Sequence, residues 1–173
     1  NILQKGRISM TIDLGTVSEG TLLPESLIEA FTEELYAVRD KTNRKHSKLV
    51  VQANSYNYVI NNLKDAEMSD ELIEIVSDLV NELVDALNEY AMPYTYFGAL
   101  EGDGACFGWW IDHFALNEAL SQAQPPVDEE QWIQDCFCEG PDCKDRHGYI
   151  VHINDHGNIT LMDAEHTVIW SIV

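Results

Sequence analysis

This sequence has no long apolar run and few basic residues. No apolar run approaches the roughly 20 residues that a membrane-spanning helix needs, so we expect no membrane segment. The first nine residues lack the apolar centre of a secretory signal, and we interpret residues 1–9 as a tag remnant or a flexible lead. We therefore expect a cytoplasmic protein whose four cysteines are reduced.

Nucleotide-binding and nucleophile motifs are also missing. The glycine-rich segment of residues 94–110 contains neither the GxGxxG pattern nor the spacing of a phosphate-binding loop. His152 and His156 flank a turn that holds Asn154 and Asp155, but no serine or cysteine nucleophile stands beside them in the sequence. The sequence therefore assigns no catalytic residue.

The scarcity of basic residues sets the charge of the whole chain. Ten lysines and arginines stand against thirty aspartates and glutamates, which gives a formal net charge of −20. Such a chain repels nucleic acid and anionic membranes, and basic protein surfaces attract it. We therefore expect a basic protein partner and no direct nucleic-acid or membrane partner. The alternative is that the acidity serves solubility alone.

The pattern of apolar residues predicts an α+β fold in one domain, residues 10–173. Helical spacing recurs over residues 24–39, 69–90 and 114–123, and alternation predicts a strand over residues 10–17. Two aromatic runs around residues 101–104 predict a hairpin, because Asp-Gly between such runs is a strong turn signal. Residues 148–153, 158–162 and 167–173 predict a three-stranded antiparallel meander.

Three segments carry weaker patterns. The basic cluster of residues 41–48 predicts a solvated loop, and residues 49–56 fit a strand or a short helix. Asp128 and Gln131 are spaced as a capping pair and predict a short helix that contains Trp132.

The predicted helix over residues 69–90 carries a column of acidic residues opposite its apolar stripe. No lysine or arginine lies between Lys64 and Lys144 to interrupt it. Like charges at such spacings destabilise a helix by about 0.2–0.5 kcal/mol per pair, so a sequence indifferent to charge would interleave lysines. We interpret the column as a partner-binding surface that imitates the phosphates of nucleic acid; the alternative is an ordinary solvated helix face. Its members are Glu71, Glu74, Asp78, Glu82, Asp85 and Glu89.

The glycine-rich segment between the aromatic runs is a second candidate site. Glu101 and Asp103 offer two carboxylates, and the glycines around them would let a ligand approach the backbone. The alternative is a tight hairpin whose aromatic residues fill the core and whose glycines supply positive φ angles.

A third candidate is a zinc site. Three cysteines and a histidine within twelve residues are enough to hold zinc tetrahedrally, although Cys-x-Cys is not the usual finger spacing. The alternatives are free thiols in a loop, or a disulfide from Cys143 to one of the other two cysteines. The candidate ligands are Cys136, Cys138, Cys143 and His147.

Several stretches resemble a small, acidic protein type carried by bacteriophages and prophages. They are Pro93 to Gly104 (Pro-Tyr-Thr-Tyr-Phe-Gly-Ala-Leu-Glu-Gly-Asp-Gly), the run Asn-Asp-His-Gly-Asn-Ile-Thr-Leu from Asn154, the closing Val-Ile-Trp-Ser-Ile-Val and the opening from Met10. The resemblance implies a phage setting in a host cytoplasm and carries over no catalytic residue.

These features lead to three alternative functions. The first is a non-enzymatic nucleic-acid mimic that occupies a basic groove of a host restriction, CRISPR or repair factor. The second is a small zinc protein or metal-dependent enzyme that uses residues 136–147. The third is a homo-oligomeric accessory protein with an apolar interface supplied by its tryptophans, Trp109, Trp110, Trp132 and Trp170.

Overall fold

The computed structural model describes residues 12–63, 68–123, 130–134 and 148–172. The described residues form four helices and two small antiparallel sheets, which confirms the predicted α+β class. The chain divides into two compact units, residues 1–110 and 111–173, and each unit is described below on its own. None of the described helices has the length and apolarity needed to cross a membrane.

The first unit combines three helices with a three-stranded sheet of order β1-β3-β2. In chain order its elements are β1 (Gly15–Ser18), α1 (Pro24–Val38), α2 (Arg44–Asn62), α3 (Asp70–Asn88), β2 (Thr95–Leu100) and β3 (Asp103–Ile111), whose last residue belongs to the second unit.

Helix α1 lies at the centre of the first unit, because it packs along both α2 and α3 while those two helices touch each other little. Phe31 is fully buried and meets the ring of Phe97 edge-on, with the two ring centroids 5.0 Å apart. Phe97 in turn contacts Trp109 of β3 at 5.0 Å. Two aromatic residues of the predicted hairpin, Phe97 and Trp109, therefore lie in the core, where such edge-to-face pairs add to the apolar burial.

The N-terminal half of α2 differs from the sequence prediction. Residues 41–48 were predicted as a solvated loop, and this is wrong from Arg44 onward, where α2 begins. Asn43 is the reason: its side-chain oxygen accepts hydrogen bonds from the backbone N–H groups of Lys45 and His46 and so caps the helix. The undecided segment 49–56 is helical, and Leu49, Val50 and Ala53 bury its inner face.

Strand β1 is shorter than predicted but joins the hairpin. It pairs antiparallel with β3, with Gly15 opposite Trp109 and Thr16 opposite Gly108. A Cβ atom at Gly108 would collide with the carbonyl of Gly15, so the close approach of these two strands requires a glycine there.

The second unit contains the C-terminal meander. Its sheet has the order β4-β5-β6-β7, and helix α4 packs against β4. Val151, Leu161 and Trp170 lie opposite one another on neighbouring strands, and all three are buried. The elements are α4 (His113–Gln122), β4 (Glu130–Gln134), β5 (Gly148–Ile153), β6 (Ile159–Met162) and β7 (Val168–Ile172).

The prediction of a short helix around Trp132 is wrong. Trp132 lies in strand β4, directly opposite Ile150 of β5. The pairing with β5 determines the conformation of this segment, because the backbone of β5 supplies its hydrogen-bond partners. A local capping pattern contains no information about that distant strand. Asp128, the other half of that pattern, lies outside the described residues.

Candidate functional site: the acidic face of helix α3

Helix α3 forms as its sequence predicts. The Ser69 hydroxyl accepts a hydrogen bond from the N–H of Leu72 at 3.3 Å and caps the helix, while Asp70 occupies the first turn. Val76, Leu79, Leu83 and Leu87 are buried, each with 2 % exposure or less. This apolar stripe attaches α3 to the core and turns the opposite side of the helix to solvent.

The opposite side of α3 carries the six predicted carboxylates, and all of them are exposed. Of these six carboxylates, only Glu89, at the C-terminal end, forms an ion pair with another described residue. We call this surface the acidic face. Its residues are Glu71, Glu74, Asp78, Glu82, Asp85 and Glu89.

The acidic face is a continuous row. From Glu71 to Glu89 the helix rises about 27 Å at 1.5 Å per residue, so successive carboxylates are separated by about 5 Å along the axis. Phosphates on a DNA strand are spaced on a similar scale. The face can therefore present several charges at once to a row of lysines or arginines.

The C-terminal end of the acidic face is neutralised by α2. Lys45 Nζ lies 2.9 Å from Glu89 Oε1 and donates a hydrogen bond to it. This hydrogen bond lowers the pKa of the Glu89 carboxyl and raises the pKa of the Lys45 ammonium. Both side chains are largely solvent-exposed, so water screens the pair and its effect on stability is small.

A fully buried histidine lies beneath this ion pair. His46 Nδ1 is 2.6 Å from the hydroxyl of Tyr90 and 2.9 Å from Nδ2 of Asn43. Its Nε2 lies 3.2 Å from Glu89 Oε2, close enough for an ion pair but without the alignment of a hydrogen bond. The cluster thus connects the start of α2 to the end of α3.

The hydrogen bonds define the tautomer of His46. The side-chain oxygen of Asn43 accepts from two backbone N–H groups, so its nitrogen is the atom that faces His46, and an amide nitrogen can only donate. His46 Nδ1 must then be an acceptor, and the imidazole carries its proton on Nε2, toward Glu89. The Tyr90 hydroxyl accepts the N–H of Asp40 and can donate to the same Nδ1.

His46 was not among the candidate residues predicted from the sequence, although a signal was present. His46 precedes Leu49, Val50 and Ala53 by three, four and seven residues, which is the spacing of one helix face. Its partners Glu89 and Tyr90 are more than forty residues away, and no local pattern links them to α2.

Glu101 and Asp103 lie at the tip of the β2–β3 hairpin, and both are exposed. Gly102 has φ +86° and supplies the left-handed turn conformation. The Asp103 carboxylate accepts a hydrogen bond from the N–H of Ala105 at 3.1 Å. These facts describe the turn; the role of the two carboxylates in ligand binding stays a prediction.

The candidate zinc ligands Cys136, Cys138, Cys143 and His147 lie outside the described residues. Within the described ranges, no group of three or more histidine, cysteine, aspartate or glutamate side chains is arranged to hold a metal ion. The zinc hypothesis therefore stays a prediction.

The turn that follows β5 is organised by Asn154, whose side-chain oxygen accepts hydrogen bonds from the N–H groups of His156 and Asn158 at 3.0 Å each.

A groove of about 640 Å³ lies between β1 and α1 in the first unit. Asp13 and Glu34 line it, and Glu34 accepts a hydrogen bond from the indole of the buried Trp109 at 2.8 Å. The lining residues include no histidine, cysteine, lysine or arginine. The polar side chains of the groove are therefore two carboxylates and the hydroxyl of Thr16, among mostly apolar neighbours.

The predicted tryptophan interface is only partly available. Trp109 and Trp170 are buried within the chain, with 1 % and 4 % exposure, so neither can contribute much to a contact with another molecule. Trp110 and Trp132 are half-buried. The homo-oligomer itself stays a prediction.

Comparison with protein-family models gave no match, and searches of curated proteins and of solved structures gave none either.

Proposed function

We propose that this protein is a non-enzymatic binding protein whose acidic face occupies a basic groove of a nucleic-acid-binding protein. The observation that carries the proposal is the row of six exposed carboxylates on α3, of which Glu89 alone is ion-paired among the described residues. A protein that grips phosphates presents lysines and arginines at a comparable spacing.

The arrangement of charge supports binding over mere solubility. Solubility requires dispersed charge, and it does not require a helix to carry six like charges at unfavourable spacings. The row also lies on a rigid helix that is fixed to the core by fully buried leucines, so its charges are preorganised for a partner. The resemblance to phage proteins suggests a host defence or repair factor as that partner.

Affinity capture tests the proposal. The intact protein is immobilised and exposed to bacterial lysate at about 50 mM and about 500 mM salt, because screening at high salt weakens charge-driven association. We expect one or more nucleic-acid-binding proteins to be captured at low salt only, and to be released by short double-stranded DNA added as a competitor.

Two matched variants identify the surface responsible. The column variant replaces Glu74→Gln, Asp78→Asn and Glu82→Gln in the middle of the acidic face. The control variant removes the same charge from three scattered, exposed positions, Glu19→Gln, Glu118→Gln and Glu165→Gln. Capture should be lost with the column variant and kept with the control. The acidic face would be ruled out as the binding surface if the amount of captured protein were the same at low and high salt, or if both variants captured it equally well.

A further inference from the structure

Helix α2 turns a second, unpartnered face to solvent. Val51 and Tyr58 on this face are 66 % and 71 % exposed, and Val59 beside them is 45 % exposed. Six of the exposed positions of α2 lie on one side of the helix and are separated alternately by four and three residues, which is the spacing of a coiled-coil seam. They are Arg44, Lys48, Val51, Ser55, Tyr58 and Asn62, and we call them the α2 seam.

The α2 seam lacks the charge that dominates the rest of the chain. No charged residue occurs from Leu49 to Leu63, and no acidic residue from Lys41 to Leu63, in a protein with thirty acidic residues. Protein interfaces are depleted of charged residues at their centre and enriched in tyrosine. In a chain of net charge −20, a surface without acidic side chains allows a second copy to approach with little local repulsion.

The charge at the two ends of α2 specifies how a second copy would lie. Arg44, Lys45 and Lys48 are at the N-terminus, and the last turn contains no basic residue. Cations are unfavourable at the positive end of a helix dipole and favourable at the negative end. An antiparallel neighbour places the basic end of each helix beside the carbonyl end of the other, whereas a parallel neighbour would bring the basic ends together.

We propose that the α2 seam is a self-association surface on which two copies of the chain pack antiparallel. In the register that centres the pair on residue 53, Val51 faces Ser55 of the second copy. Lys48 then faces Tyr58, a cation–π partner, and Arg44 faces Asn62. The contact uses an uncharged centre flanked by complementary ends.

Analytical ultracentrifugation of the intact protein, under reducing conditions and from roughly 1 µM to roughly 500 µM, tests the proposal. We expect a monomer–dimer equilibrium that strengthens as salt rises, because salt screens the repulsion between two acidic chains. Tyr58→Lys should raise the dimer dissociation constant by at least about tenfold, since it places a second ammonium beside Lys48. Phe114→Lys, at an 80 % exposed position on α4, is the matched control and should leave the constant unchanged.

A charge-pair rescue tests the antiparallel register. Lys48→Glu combined with Tyr58→Lys in one chain should restore the dimer, because each new glutamate then faces a new lysine of the other copy. A protein that stays monomeric over the whole range overturns the proposal, as does equal weakening by Tyr58→Lys and Phe114→Lys. Failure of the double variant to restore the dimer overturns the register. Salt should strengthen the dimer but weaken the capture of a basic partner by the acidic face, so failure of one proposal can be distinguished from failure of the other.

Discussion

The column variant offers the sharpest test of why α3 is acidic, because it should make the protein more stable. It replaces Glu74→Gln, Asp78→Asn and Glu82→Gln, all exposed positions. The replacements keep side-chain volume and change helix propensity little. They leave Asp70 and Glu71, which suit the positive end of the helix, in place.

The magnitude follows from the spacing of the acidic face. Successive members are three or four residues apart, so each of the three replaced residues has a like-charged neighbour on both sides. The variant removes four of these repulsive pairs, at about 0.2–0.5 kcal/mol each. We therefore expect the free energy of unfolding to rise by about 1–2 kcal/mol at low ionic strength.

Urea denaturation at about 20 mM and at about 1 M salt measures this gain, which should shrink at high salt because the Debye length falls to about 3 Å. The control variant, Glu19→Gln, Glu118→Gln and Glu165→Gln, makes the same change in net charge at isolated positions. If the column variant proves no more stable than the control, repulsion along the face is negligible. The argument that the face is retained for binding then loses its basis.

Three further predictions concern the elements that support the site. Asn43→Ala should lower the free energy of unfolding by about 1 kcal/mol through loss of the α2 cap, measured by urea denaturation against Asn54→Ala, which is exposed on the same helix. Because the hydrogen bond from Lys45 lowers the pKa of Glu89, the stability that this carboxylate contributes exists above its unfolded pKa and is lost as the pH falls through its folded pKa. The stability difference between wild type and Glu89→Gln should therefore be present at neutral pH and vanish once the pH has fallen below the lowered pKa of Glu89, and a difference that persists in acid would contradict the assignment. Phe97→Ala should cost about 3–5 kcal/mol by thermal or chemical denaturation, whereas an equal cost for the exposed Phe114→Ala would mean that the core is misassigned.

Local signals explain which parts of the fold were predictable. The cap at Ser69 and the apolar stripe behind it specify α3 within its own sequence, and the acidic face follows from the helical period alone. The β2–β3 hairpin was predictable for the same reason, because a glycine turn between two aromatic runs requires no distant partner. Both predictions are confirmed.

The missed elements depend on partners far away in the chain. Strand β4 exists through its pairing with β5, so the pattern around Trp132 alone indicated a helix. Helix α2 begins with Arg44 and Lys45, which oppose the helix dipole, and the basic cluster that contains them was interpreted as a solvated loop. The packing of α2 on α1 and the cap at Asn43 outweigh that local penalty, which typically amounts to a few tenths of a kcal/mol to about 1 kcal/mol per charge.

The unfavourable charges at the start of α2 and along α3 have a common consequence. The exposed side of each helix carries charges that lower the stability of that helix. An ion pair between Lys45 of α2 and Glu89 at the end of α3 connects the two helices. If both proposed contacts hold, a dimer formed through α2 carries two copies of the acidic face. A partner with two basic grooves would then gain from the effective concentration of the second face. Tyr58→Lys would in that case weaken binding to an immobilised, multivalent partner and leave the affinity for a single groove unchanged. A direct role of α2 in partner binding would instead weaken the affinity for a single groove as well.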